Sequence, residues 1–308
     1  VSRDFDAAPV DGGSDAAQAC ASTDPIVLAS NNQAIAIAVD DSRVYWADYG
    51  ALRGVAKAGG TPFDVASDNA GPWRVAVDDD SIYSSSWSGD LMRIPKSGGT
   101  GTIIAHGPGA GPVRPFGDYL YWLAFQNSED ARITRVHKDG TGFETLLTGR
   151  HFNDIAVDAT GIYFVSTEGV GRLPLAGGDV ADLAQDYQAW ELAVDATNVY
   201  WYTLTSRIGK VPKEGGAMVT LVPYQEYRIQ SLAVSESDVF WGANSDVLRT
   251  GDHGTIRRMP KSGGAVVTVA TGQLEPVALA LDATYVYWAN SGWSGSSTGS
   301  IVKMCRTQ

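Results

Sequence analysis

Glu191-Leu192-Ala193-Val194-Asp195-Ala196-Thr197-Asn198-Val199-Tyr200-Trp201 decides the fold, because relatives of this stretch recur along the whole chain. Variants occupy Ile37–Trp46, Val75–Ser84, Ile155–Phe164, Leu232–Trp241 and Leu279–Trp288, and a degenerate copy ends in Tyr119-Leu120-Tyr121-Trp122. The first aromatic of each Tyr-Trp-like pair falls at Tyr45, Tyr83, Tyr121, Tyr163, Tyr200, Phe240 and Tyr287. That spacing of about 40 residues is the range of four-stranded propeller blades. Seven copies predict an all-β, seven-bladed β-propeller of four-stranded antiparallel blades.

Within each copy an apolar run ends in an Asp-containing turn and the Tyr-Trp run follows. A third run such as Leu91–Pro95 and a fourth such as Thr102–Ala105 close the unit. Between the last two lies a Gly-Gly turn, at Gly59-Gly60, Gly98-Gly99, Gly215-Gly216 and Gly263-Gly264, each two residues after a lysine. Paired glycines supply the positive φ that tight hairpins require. The first run is nearly all apolar, as expected of a strand covered on both faces. Its central residue is Ala38, Ala76, Ala156, Ala193, Ala233 or Ala280, a small side chain where inner strands converge on the axis; Arg114 breaks that rule in the third copy.

Tyr45-Trp46-Ala47-Asp48 and Tyr287-Trp288-Ala289-Asn290, each after an Ala-Val-Asp or Ala-Leu-Asp strand, resemble the YWTD propeller repeats of lipoprotein-receptor ectodomains and their bacterial cousins. The resemblance runs from Pro25 onward. It departs in repeat number, since YWTD propellers have six blades, and only Asp48 keeps the final Asp of the motif. It implies a fold and partner binding across one face, not a reaction.

Residues 1–23, rich in Asp, Ala, Gly and Ser without periodicity, read as a flexible leader, and 24–308 as the propeller. Such leaders resemble the tethers that follow bacterial secretory or lipoprotein signals, so a trimmed secreted form or a lipid-anchored precursor is expected. The last copy stops after Met304-Cys305, before a fourth strand, while Asp24–Ser30 aligns with Thr61–Ser67, a fourth strand without a blade. The N-terminal segment is therefore expected to complete the C-terminal blade and close the ring. The only two cysteines, Cys20 and Cys305, fall where the Gly-Gly turn would stand, which predicts a disulfide replacing that turn. Chain entropy gives such a cross-link on the order of 5 kcal/mol as an upper figure. It also points to an oxidising compartment: extracellular space, cell surface or periplasm.

Loop lengths vary after the Tyr-Trp pair, at 126–131, 244–254 and 290–299, on the face that also carries the connections between blades. Variable loops on a rigid scaffold are where binding usually resides. This face gathers Tyr49, Trp73, Trp87, Trp190, Tyr227 and Trp293 as candidate ligand contacts, with Phe152 and Tyr187 nearby. Aromatic rings there can stack on sugars or cover an apolar peptide side chain. Trp46, Trp122, Trp201, Trp241 and Trp288 instead occupy the repeated strand position and read as blade packing.

At the mouth of the central channel one position per copy reads Ala36, Arg74, Pro112, Asp154, Glu191, Ser231 and Ala278. Arg74, Asp154 and Glu191 are candidate polar anchors for an anionic or hydroxyl-rich ligand. The alternative is an interblade ion-pair ring. Arg150, His151, Arg228 and Glu275 can extend either version, and Asp154, Glu191 and His151 are the weak candidates for catalysis.

The four histidines are scattered without ligand spacing, so no metal or other cofactor is expected. A formal charge of −12 disfavours nucleic acid. No segment reaches the length of a transmembrane helix. The expected function is a monomeric, secreted or envelope-exposed module that binds a glycan or a peptide on the loop-rich face. A propeller enzyme, lyase or hydrolase, with its site at the channel mouth is the first alternative, and a scaffold without a small ligand is the second.

Overall fold

The computed structural model describes residues 24–66, 71–107, 109, 111–125, 131–225, 227–244, 254–292 and 298–306. The leader, Cys20, Trp293 and most of the three enlarged loops lie outside the described residues. The strands form seven four-stranded antiparallel sheets. After β1 (Ile26–Asn32), blade 1 is β2–β5 (Ala34–Val39, Arg43–Asp48, Leu52–Ala56, Phe63–Ala66) and blade 2 is β6–β9 (Pro72–Val77, Ser81–Ser86, Asp90–Pro95, Thr102–His106). Blade 3 is β10–β13 (Val113–Phe116, Tyr119–Phe125, Ala131–His137, Glu144–Leu147) and blade 4 is β14–β17 (Phe152–Asp158, Gly161–Ser166, Gly169–Leu173, Ala181–Ala184). Blade 5 is β18–β21 (Ala189–Val194, Asn198–Thr203, Ile208–Pro212, Val219–Val222) and blade 6 is β22–β25 (Arg228–Val234, Asp238–Asn244, Gly254–Pro260, Val267–Gln273). Blade 7 takes β26–β28 (Pro276–Leu281, Tyr285–Asn290, Gly299–Cys305) from the C-terminal end and β1 from the N-terminal end, in the order β26-β27-β28-β1. The ring closure expected from the orphan fourth strand is thus present, with Val27 opposite Val302.

The period of two along each second strand explains the Tyr-Trp signature. Tyr45 packs into the layer shared with blade 2, whereas its neighbour Trp46 points the other way, into the layer shared with blade 7. Tyr200 and Trp201 divide likewise between blades 6 and 4. The apolar core is accordingly seven layers, one at every blade junction. The five strand tryptophans are all almost completely buried. In three blades the third strand carries glycine opposite a large ring: Gly54 at Tyr45, Gly171 at Phe164 and Gly209 at Trp201. Gly171 sits opposite Phe164, and a Cβ there would stand 2.3 Å from the ring.

The repeated Asp and a lysine at the start of the turn after the third strand meet across most blade junctions. Asp195 accepts from the Thr197 and Asn198 backbone N–H groups and from Tyr200 Oη, and blade 6 adds Lys261 Nζ at 2.6 Å. The same latch joins Lys96 to Asp40, Lys138 to Asp78, Lys213 to Asp158 and Lys57 to Asp282. Among the described residues five of the seven junctions carry it. The other two lack both halves: the junction of blades 3 and 4 has Gly117 and Leu175 in those positions, and that of blades 6 and 7 has Ser235 and Arg306.

Candidate functional site at the channel mouth

Six inner strands begin with a register shift that leaves one extra residue unpaired: Ile35, Trp73, Asn153, Trp190, Gln230 and Val277. Such bulges re-aim side chains at sheet rims. Trp73 and Trp190, expected just ahead of their strands, are in fact bulge residues inside β6 and β18. Each is followed by the position that carries Arg74 or Glu191.

Trp73 and Trp87 form a tilted pair with ring centroids 3.8 Å apart. Trp87 is 55% exposed and lies against Gly71, whose φ of +69° and missing Cβ leave room for the indole. The Arg74 guanidinium lies over Trp73, 4.7 Å from the ring centre, and Nη1 donates to the Trp73 carbonyl at 3.2 Å. Trp190, Tyr187 and Tyr49 are exposed on the same face. Tyr227 is half-buried beneath Arg257. Phe152 is not a face residue: it is buried edge-on to Phe164 in the core between blades 3 and 4.

The polar column is joined from blade to blade. Asp154 Oδ1 accepts from Arg114 Nη2 at 3.1 Å and from Ile155 N, while Oδ2 accepts from Leu192 N of blade 5. Glu191 Oε1 accepts from Leu232 N of blade 6 at 3.0 Å. Ser231 Oγ donates to the Pro276 carbonyl of blade 7. For Asp154 the ion-pair alternative describes the contacts, since both oxygens are engaged by neighbouring blades. His151 is exposed three residues ahead of it, and Arg150 turns outward to Asp182. Glu275 is held by Gln230 and Ser291.

Arg114 is the residue that sequence reasoning noticed and left unplaced. It occupies the central alanine position of β10, opposite Tyr121, and reaches across the axis side of blade 3 to Asp154. An arginine where the other readable copies have alanine was the available signal. Burial pushes the Glu191 carboxyl up to about 8, aided by the neighbouring Asp154 carboxylate and opposed by the Leu232 N–H and by Arg74 and Arg114. Burial likewise raises Asp154, with Arg114 opposing, and lowers Arg74.

No family model matches the chain, and no curated protein matches it in sequence. Solved structures do match in shape. The WD40 β-propeller domain of Doa1 superposes with a TM-score of 0.70 at 12% identity, over 90% of this chain and 94% of that one. A chain of the nidogen–laminin complex gives 0.51 at 20% identity, over 63% and 81%. The extracellular domain of a one-component system from B. thetaiotaomicron gives 0.64 at 12%, over 90% and 39%. What is shared is the propeller. No helix among the described residues is long and apolar enough to cross a membrane.

Proposed function

We propose that the protein is a recognition module, secreted or exposed at a bacterial envelope, whose loop-rich face binds a glycan. The carrying observation is the Trp73–Trp87 pair at the channel mouth with Arg74 laid on it. Two adjoining indoles, one of them open to solvent, offer stacking area to a pyranose ring, and Arg74 adds donors for hydroxyl or carboxylate groups. Trp190, Tyr49 and Tyr227 extend the surface, with Glu191 as an anchor deeper in the mouth. A peptide ligand is the competing occupant of the same face. Array binding by labelled protein, with a Trp73→Ala, Trp190→Ala variant beside it, tests this reading. Glycan binding lost in the variant supports it, and binding only to peptides would replace it.

A catalytic reading, hydrolase or lyase, draws on one observation: a Glu191 carboxyl that stays protonated at neutral pH can donate a proton. Turnover abolished by Glu191→Gln is its test. The disulfide remains a proposal as well. Cys305 is buried at the end of β28, the strand that pairs with β1. Peptide mass spectrometry without reduction tests it.

A further inference from the structure

Trp190 and Leu204 rebuild on blade 5 the platform that Trp73 and Trp87 make on blade 2. In both blades the bulge residue of the inner strand is a tryptophan, Trp73 or Trp190. The residue two before it holds a left-handed backbone, with φ +69° at Gly71 and +65° at Gln188. Its carbonyl accepts the first N–H of the loop after the second strand, from Trp87 in blade 2 and from Leu204 in blade 5, at 3.1 Å in each. Trp190 and Leu204 are nearly half exposed, and Tyr187, beside Gln188 in the chain, is more exposed still. Blade 4 puts Asn153 and Thr167 in the same two places and blade 7 puts Val277 and Ser291, so of these four blades only 2 and 5 carry the aromatic version. Inner strands of neighbouring blades touch in chain order, and β26 meets β2 to close the ring. Blades 2 and 5 are therefore three steps apart, the greatest separation a ring of seven allows. With facing sheets about 10 Å apart, the two platforms stand on opposite sides of the mouth, roughly 15–20 Å from each other. Arg74 and Glu191 follow the two tryptophans on the same inner strands and feel each other's charge across that mouth.

We propose that this face binds the internal stretch of a linear, uncharged polysaccharide, with one sugar ring on each platform and the middle of the chain crossing the mouth. This rests on the glycan reading of the face and names the class of glycan: a long chain rather than a terminal sugar. Both platforms are open to solvent, so neither encloses a chain end. One sugar ring cannot reach both, whereas a chain held at one platform is presented to the other at high effective concentration, which raises affinity without any new kind of contact. The crossing suits hydroxyl groups. Among the described residues Arg74 donates only to the Trp73 carbonyl, and Glu191 engages only Oε1. Hydroxyls both donate and accept, and so match both side chains. A polyanionic chain would be opposed by a protein of formal charge −12.

The test is an array printed with length ladders, from disaccharide to decasaccharide, of neutral linear glucans, xylans, mannans and galactans, beside sulfated and uronic-acid chains. It is probed with the wild-type protein and with Trp190→Ala. Within the ladder that binds, wild-type affinity should rise by roughly tenfold or more from the disaccharide to the longest chains. In Trp190→Ala the long chains should bind no better than the disaccharide, while circular dichroism shows the wild-type fold. Leu204→Ser, at an exposed loop position of the same platform, is the second variant and should reduce the length gain in the same direction. Affinity that is flat with chain length, or a length gain that both variants keep, overturns the two-platform proposal and leaves the glycan reading standing. Binding confined to sulfated or uronic-acid chains overturns the uncharged class. No binding to any carbohydrate overturns both the proposal and the glycan reading.

Discussion

Lys57 Nζ lies 2.6 Å from the Asp282 carboxylate, 225 residues away in the chain, and so ties the first blade to the seventh. Asp282 is also the turn residue of its own hairpin, accepting from Thr284 N, Tyr285 N and Tyr287 Oη. The two partners therefore differ in what they hold. Lys57→Met should cost about 1 kcal/mol, as for a partly solvated pair, whereas Asp282→Ala should cost about 2–3 kcal/mol by also stranding three donors. Urea unfolding of both variants checks the order. Equal losses would mean that the turn contacts contribute nothing.

The pH profile should have two limbs. Burial alone would raise the latch carboxyls Asp40, Asp78, Asp158, Asp195 and Asp282, but lysine and backbone N–H hydrogen bonds hold them below their ordinary range. Their contribution is present above about pH 4, the unfolded-state value, and is lost as pH falls through the depressed folded values. Glu191 acts in the opposite sense. Faced by Asp154, Arg74, Arg114 and Tyr202, it holds its proton to about pH 8 in the folded state but releases it near 4.5 when unfolded, so stability declines between those values. Stability should peak near pH 5 and fall by on the order of 2 kcal/mol towards pH 8. Glu191→Gln should flatten that second limb and leave the acid limb in place, as read by melting temperature against pH.

Trp87→Ala should lower affinity for the face's ligand by roughly tenfold or more, the scale of a lost ring-stacking anchor. Its exposure predicts a stability change within about 0.5 kcal/mol. Gly71→Ala should produce part of the same affinity loss without touching the indole itself, because a Cβ there comes within 3.1 Å of Trp87 Cδ1 at a backbone φ of +69°. Affinity measured beside unfolding curves distinguishes the two effects. Unaltered binding in both variants would remove the Trp73–Trp87 pair from the site.

Gly171→Ala should destabilise blade 4 by about 1–3 kcal/mol, since the added methyl meets the Phe164 ring on the facing strand. Phe164→Leu in the same background should recover part of the loss. The cycle is read from unfolding midpoints, and additive losses would show that the two side chains do not compete for the same space.

The blade count, the four-strand unit and the borrowed β1 were legible because they rest on periodicity: Tyr45 and its six equivalents repeat about every 40 residues, and Asp24–Ser30 aligns with a fourth strand that has no blade. Burial of Trp46 and its counterparts followed from the same repetition. The latches were half legible. Asp282 and Lys57 each stood in a repeated position, yet nothing local in sequence states that a turn on one blade faces a turn on the next. The rim was least legible. A bulge at Trp73 or Trp190 has no residue signature, and Phe152, three residues ahead of the Ile155 copy, reads like Trp190 although one is core and the other surface. Arg114 stood out as an exception, but its partner Asp154 is 40 residues away and is set by ring geometry alone.

The pairing of β1 with β28 also constrains synthesis. Strand β1 must wait for β28, which lies most of the described chain later, and at about 5–20 residues per second that interval is tens of seconds. Throughout it, the outer edge of an unfinished seventh blade and the free β1 segment are both open to pairing with other chains. A nascent molecule of this kind gains from a holding chaperone, and its ring becomes a single cooperative object only once β28 has been made and has met β1.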